Sequence, residues 1–231
     1  MTDTPAAPHW PLALLRLLQL VSPALPIGTF AYSQALEAAV AAGWITDEAS
    51  ARDWIGGLLA CAIGGLDLPV LARLHDAWAA GDQASATAWS RFLLAARASG
   101  ELQAEERHLG GNLARLLDGL GVDGARPWLT RADTTYAGMF ALAATHWRIS
   151  LADAAHGLAF AWVEAQTSAA VRLVPLGQSA GQRILLALGA GIPDVVARAL
   201  ATADDDIGGA APSHAIASAH HEIQYSRLFR S

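Results

Sequence analysis

The chain has no lysine: all 15 basic residues among its 231 residues are arginine. A P-loop nucleotide-binding protein needs the lysine of its Gly-Lys-Ser/Thr motif, and a Schiff-base enzyme needs a reactive lysine amine. Both classes of protein are therefore excluded.

Cysteine is nearly absent as well, since Cys61 is the single one in the chain. One cysteine can form neither a disulfide framework nor a cysteine-based zinc site. The residues around Cys61 are apolar, so we expect a buried and unreactive thiol.

Charge is sparse, with 16% charged residues and a net charge of −6, so the basic footprint of a nucleic-acid-binding protein is missing. By contrast, 53% of the residues are hydrophobic and the mean hydropathy is +0.30. This balance predicts an extensive core and some surface that is covered in a complex.

The first residues carry no basic region followed by an apolar signal core. No apolar run of about 18 residues is free of proline and polar breaks. We expect a flexible leader over residues 1–9 and a soluble, cytoplasmic protein.

Residues 22–37 form a proline-rich elbow, and the chain is uncharged from Leu17 to Leu36. Pro23 and Pro26 each disfavour helix at the preceding residue, and Gly28 supplies a flexible joint. The apolar residues that follow predict a helix over 29–42, with Gly43 as its carboxyl-terminal cap.

Helical periodicity and capping signals recur along the chain, without β-type alternation or an internal repeat. They predict an all-α, single compact domain of about ten helices, with a helical body over 10–212 and a terminal helix and tail over 213–231. The predicted helices span 11–21, 29–42, 49–64, 68–80, 82–98, 101–120, 132–147, 151–174, 177–188, 193–203 and a segment from 213.

The helix over 101–120 has a leucine stripe, and we place Glu105 and Glu106 away from it, on a solvated face with Arg107 and Arg115. These two carboxylates are the candidates for general acid–base chemistry, but the solvated interpretation is favoured. No Gly-x-Ser-x-Gly elbow accompanies them. The sequence therefore predicts no enzyme, no catalytic residue and no cofactor.

Histidines near the carboxyl terminus are the candidate metal ligands. His220 and His221 are neighbours, and neighbouring helix positions point about 100° apart, so they do not chelate as a pair. We favour no metal site, and keep metal binding by His214, His220 and His221 as the alternative.

The last nine residues, Ile-Gln-Tyr-Ser-Arg-Leu-Phe-Arg-Ser, are unusually apolar and aromatic for a chain terminus. Tyrosine and arginine are typical interface anchors. The residues leave two interpretations open: the tail docks on its own core, or a partner orders it.

Five motifs occur in order along the chain: Leu-Pro-Ile-Gly-Thr-Phe-Ala-Tyr-Ser-Gln-Ala-Leu-Glu at 25–37, Asp-Leu-Pro at 67–69, Glu-Glu-Arg at 105–107, Val-Arg-Leu-Val-Pro-Leu-Gly-Gln at 171–178, and the segment 217–231. Together they resemble the UreF family of urease accessory proteins. The chain departs from the family pattern at Ala35, Arg172 and His221, where Gly, Lys and Arg are frequent.

The resemblance implies an all-helical, UreF-like, non-catalytic chaperone of urease maturation. It implies a homodimer that binds the scaffold protein UreD (UreH in some systems), recruits the GTPase UreG, and supports nickel insertion into apo-urease. The alternative function in this context is a histidine-based nickel-binding metallochaperone that uses His214, His220 and His221. The resemblance also implies that the tail meets the scaffold, which favours the partner-ordered interpretation. We assign partner binding to Tyr225, Arg227, Leu228, Phe229 and Arg230, and a core or dimer role to Phe30 and Tyr32.

Overall fold

The computed structural model describes residues 10–209 and 211–231, and within them the fold is all-α, with ten helices and no strand. The predicted fold class is confirmed, while the predicted leader at 1–9 lies outside the described residues. The helices are α1 (Trp10–Leu20), α2 (Leu36–Ala41), α3 (Glu48–Ala79), α4 (Gln83–Ala96), α5 (Gly100–Gly119), α6 (Tyr136–His146), α7 (Leu151–Leu173), α8 (Gln178–Gly189), α9 (Ile192–Leu200) and α10 (Pro212–Glu222).

Helix α3 is one continuous helix of 32 residues, where the sequence predicts two. Its middle, Leu59–Asp67, is a π-helix, and the Leu68 N–H donates to the carbonyl of Ile63, five residues back. The wider register lets the chain pass Pro69, which has no N–H to donate, without a break. The prediction of two separate helices is therefore wrong.

The π segment also decides the position of Cys61, which is exposed. Leu59, Ile63 and Leu66 on the same segment are buried, so the π register turns these three side chains inward and leaves the thiol outside. The expectation of a buried thiol is wrong.

Helix α3 is long and apolar enough to cross a bilayer by length and composition alone. However, 61% of its most apolar window is buried inside the fold. The core helix of a globular protein passes the same test, and α3 fits that description.

The predicted helix over 29–42 is broken. Thr29–Ala31 is a 3-10 turn, Tyr32 is extended, and Gln34 and Ala35 have positive φ angles of 51° and 66°. Left-handed backbone costs roughly 1–2 kcal/mol for each non-glycine residue, so other contacts must hold this loop. The helix itself is confined to α2, and Gly43, with φ of 74°, ends it as predicted.

A single core runs between the long helices. Helix α6 is apolar on all sides and buried over 137–144, where it packs against α3 and α5. Trp78 of α3 donates from Nε1 to the carbonyl of Gly138 at 3.0 Å and packs edge-on against the fully buried Trp128. This core holds α5 and the loop before α2 in fixed positions, and the site lies between them.

Candidate functional site

The tail docks on the chain's own core, through the loop that breaks the predicted helix. Ser33 is fully buried and donates from both its N–H and its hydroxyl to the main-chain oxygen of Ser231, at 2.9 and 2.5 Å. The Arg230 N–H donates to the carbonyl of Ala31 at 2.9 Å. The left-handed residues thus turn the loop's polar groups towards the tail.

Glu37 is the second anchor of the tail. Its carboxylate is buried at the start of α2 and accepts from the N–H groups of Leu228 and Phe229, at 2.7 and 2.9 Å. A carboxylate that accepts backbone N–H groups makes charge-assisted hydrogen bonds, which are stronger than neutral ones. Glu37 therefore fixes the backbone of the tail directly.

Phe229 is the apolar anchor, with 4% of its surface exposed. The guanidinium of Arg172 lies 4.6 Å from its ring centroid, and the same side chain donates to the carbonyl of Phe30 at 3.1 Å. Arg172 thereby links α7, the turn at Phe30 and the tail.

His221, the last buried residue of α10, contacts two acids that also bind the tail. Its ring is fully buried, with Nδ1 2.6 Å from Glu101 Oε2 and Nε2 3.4 Å from Glu37 Oε2. Both ring nitrogens therefore lie beside carboxylate oxygens, so the ring connects α10 with α5 and with the start of α2. Arg227 also donates to Glu101, at 2.5 Å.

Glu105 and Glu106 are buried, with 4% and 5% of their surfaces exposed, so the predicted solvated face is wrong. Each residue lies three or four positions from both Leu102 and Leu109, which places it on the leucine side of α5. That spacing is visible in the sequence, so assigning every residue of α5 to a helix face places both glutamates on the buried side.

Glu106 belongs to a buried ion cluster. Arg97, which follows α4, donates to Asp67 at 2.5 and 3.1 Å and to Glu106 at 2.5 Å. Burial works against the arginine's charge, but Asp67 and Glu106 together raise its pKa. The cluster ties α3, α4 and α5 together through one permanently charged group.

Glu105 has neutral donors instead. The Ser231 hydroxyl donates to Oε2 at 2.6 Å, and Gln34 Nε2 donates to Oε1 at 2.7 Å. Burial raises the pKa of Glu105 to about 7, against the opposing effect of these two hydrogen bonds. The acid that meets the end of the tail therefore titrates close to neutral pH.

A cavity of about 80 Å³ adjoins Glu105. Trp162 donates from Nε1 to Gln34 Oε1 at 2.7 Å on its wall, and burial raises the pKa of Glu164, another wall residue. Each water needs roughly 10–15 Å³, so the cavity has room for several. The polar wall suits hydration of the buried carboxylates.

The residues predicted for partner binding divide into two groups. Phe229 is buried against the core, whereas Tyr225, Arg227, Leu228 and Arg230 are exposed. The two residues predicted for the core or a dimer also differ, because Tyr32 is a core residue and Phe30 is 69% exposed. Residues that the sequence reasoning did not assign to the site are Ser33, Gln34, Glu37, Asp67, Arg97 and Glu101.

The three histidines of the alternative function are not brought together as ligands. His214 Nε2 lies 3.1 Å from the carbonyl of Gln34, His221 faces Glu37 and Glu101, and His220 is exposed. Within residues 10–209 and 211–231, no group of three or more His, Cys, Asp or Glu side chains can hold a metal ion.

Taken together, these features define a helical protein with a docked carboxyl-terminal segment and exposed apolar side chains beside it. A sequence model described as UreF matches residues 45–189, more than half of the chain. The chain therefore belongs to the UreF family.

Full-length relatives extend the match to the elbow and the tail. A protein of Chromohalobacter salexigens named urease accessory protein UreF is 48% identical over 231 residues, which cover 100% of both chains. Proteins of the same name from Pseudomonas putida (strain W619) and Alkalilimnicola ehrlichii are 50% and 46% identical over 220 residues; the matches cover 95% of this chain and 98% and 96% of theirs.

Proposed function

We propose that this chain is a non-catalytic chaperone of urease maturation, a homodimeric adaptor in the cytoplasm. It binds a UreD/UreH-type scaffold, recruits the UreG GTPase, and so supports nickel insertion into apo-urease. Support comes from the family, whose members are named urease accessory proteins, and from the tail surface.

The observation that carries the proposal is the division of the tail. Phe229 and Ser231 are held in the core, so the segment is fixed, while Ile223, Tyr225 and Leu228 expose 84%, 104% and 65% of their surfaces. Large apolar side chains on an ordered segment are typical of a binding surface. A tail that served the core alone has no use for these side chains.

A second exposed face supports the homodimer. Leu12, Leu15 and Leu18 follow each other at three-residue spacing along α1 and expose 59%, 62% and 55% of their surfaces. An apolar stripe of this kind is commonly covered by another chain. It accounts for part of the high hydropathy of the sequence.

The test uses substitutions rather than deletion of the tail, because deletion also strips the partners from Glu37 and Glu105. Tyr225→Ala/Leu228→Ala removes two exposed side chains and leaves the docked backbone intact. Light scattering on a sizing column compares this variant with the unchanged chain, each co-expressed with a UreD-type scaffold. We expect a complex of two chains and two scaffolds for the unchanged chain, and a tenfold or greater loss of scaffold affinity, about 1.4 kcal/mol or more, for the variant.

The matched control is Leu186→Ala, which removes another exposed leucine, 79% exposed, on α8. This variant should bind the scaffold as tightly as the unchanged chain does. If the tail variant binds the scaffold as tightly as the unchanged chain, the tail is not the scaffold surface. If the unchanged chain forms no complex, the adaptor function is wrong.

A further inference from the structure

A groove on a different face of the molecule carries three arginines. It lies between α4, α5 and the segment that leads into α6, and its volume is about 630 Å³. We call it the arginine groove; its lining residues are Arg91, Leu94, Ala95, Gln103, Arg107, Arg131, Ala132 and Asp133.

Each arginine is held by its Nε, so that its terminal nitrogens remain oriented. Arg91 and Arg131 donate from Nε to Asp133, both at 2.8 Å, and Arg107 donates from Nε to the carbonyl of Ala132 at 3.0 Å. Among the described residues, no acceptor meets the terminal nitrogens of Arg91 or Arg107. Guanidinium groups fixed in this way lose little conformational freedom when they bind an anion.

The groove is positively charged although the chain as a whole is acidic. Asp133 is buried, and the Arg131 guanidinium holds the pKa of its carboxyl below the ordinary value. Three arginines and one carboxylate line the groove, so two positive charges lack a counter-charge within it. Arg131 also stacks on the ring of Trp128, 4.2 Å from its centroid, which fixes the groove to the core.

We propose that the arginine groove binds an acidic segment of a partner protein. The two guanidinium groups that lack a counter-charge can pair with two carboxylates. A planar guanidinium binds a carboxylate with two parallel hydrogen bonds. The groove is much larger than a single small oxyanion, and Leu94, Ala95 and Ala132 offer apolar contacts to a peptide. A net charge of −6 disfavours nucleic acid as the occupant.

The test measures binding of a fluorescein-labelled hexaglutamate peptide to the full chain by fluorescence anisotropy. Arg91→Gln/Arg107→Gln removes the two arginines with free terminal nitrogens, while Arg131 stays and keeps Asp133 paired. We expect the double variant to bind the peptide roughly five- to tenfold more weakly, and binding to weaken as salt is raised.

The matched control is Arg52→Gln/Arg183→Gln, which removes the same charge from exposed arginines that pair with Asp53 and Glu48 on α3. It should bind the peptide as the unchanged chain does, and hexaglutamine should not bind. Equal losses in both double variants would show a general charge effect and overturn the proposal. Competition by inorganic phosphate at concentrations as low as those of the peptide would also overturn the proposal. The measurement contains no urease component, so its failure leaves the proposed function untouched.

Discussion

Glu106 belongs to the ion cluster around Arg97, and Glu105, its neighbour on α5, belongs to the tail-docking region. The two regions satisfy their buried carboxylates in opposite ways. Glu106 shares the Arg97 guanidinium with Asp67, so a positive charge compensates it inside the fold. Glu105 is just as buried, yet its partners are a hydroxyl of the tail and an amide of the loop before α2.

The difference shows which contacts are permanent and which depend on the tail. Asp67 and Glu106 lie on packed helices, Arg97 directly follows α4, and the bonds among the three involve no residue of the tail. Glu37 and Glu105 lose donors if the tail lifts, and a buried acceptor without a donor costs about 1–3 kcal/mol. Docking of the tail is therefore coupled to the acids beneath it.

The largest expected effect comes from breaking the permanent cluster. Arg97→Ala leaves two buried carboxylates without their shared cation, and we expect a loss of about 3–5 kcal/mol in the free energy of unfolding. Urea unfolding followed by circular dichroism measures it. Arg52→Ala is the control, because its ion pair with Asp53 is exposed and contributes about 1 kcal/mol or less. Equal losses in the two variants would mean that the buried cluster does not anchor the helices.

The second-largest expected effect is a pH dependence of folding stability, which arises from Glu105 in the tail-docking region. Burial raises the pKa of Glu105 from 4.5 to about 7, so the folded chain keeps a proton that the unfolded chain releases. Stability from this group is present below the unfolded pKa, falls as pH rises between the two pKa values, and is flat above about 7. At about 1.4 kcal/mol for each pH unit, the loss across the window is about 3 kcal/mol.

Glu105→Gln isolates that contribution, because an amide accepts from Gln34 and donates to Ser231 without titrating. Burial lowers the pKa of His214, which gives an opposing slope in both proteins and cancels in the difference. Melting temperatures across the window should show the variant gaining on the unchanged chain as pH rises. A constant difference at every pH would show that Glu105 has the same pKa in the folded and the unfolded chain. Asp123→Asn is the matched control, because it replaces an exposed carboxylate by an amide.

Most of the architecture follows from local sequence signals. Asp47, Asp82 and Ser150 accept N–H groups from the first turns of α3, α4 and α7. Asp and Ser are preferred at this position, so these helix starts are predictable from the sequence. The two failures in α2 and α3 have non-local causes. The loop at Gln34 and Ala35 is held by the tail almost 200 positions later, and the π segment by the loop at Gly208, whose N–H donates to Gly65.

The site was predictable in part. The tail's unusual composition marked it, but periodicity cannot say which tail residues face inward, because the tail is not a regular helix. The resemblance to the family places Ala35 where Gly is expected, and a position that favours Gly is a signal for the left-handed backbone found there. Glu105 and Glu106 were missed although their spacing from Leu102 was visible, because carboxylates are rarely buried.

The smallest effect, and the sharpest test of the comparison, comes from Phe229→Ala. Removing the apolar anchor should cost about 2 kcal/mol, below the usual range for a deep core, because the tail can lift away from the site. Once the tail lifts, Ser231 leaves Glu105 and solvent reaches the carboxylate, so its pKa moves back towards the ordinary value. The pH dependence of stability should therefore flatten, while the Arg97 cluster is unaffected.

Leu228→Ala, 65% exposed on the same segment, should change neither stability nor slope appreciably. A Phe229→Ala protein that loses stability but keeps the full pH slope would show that Glu105 is buried by the helices alone, and that the two regions differ in charge but not in their dependence on the tail.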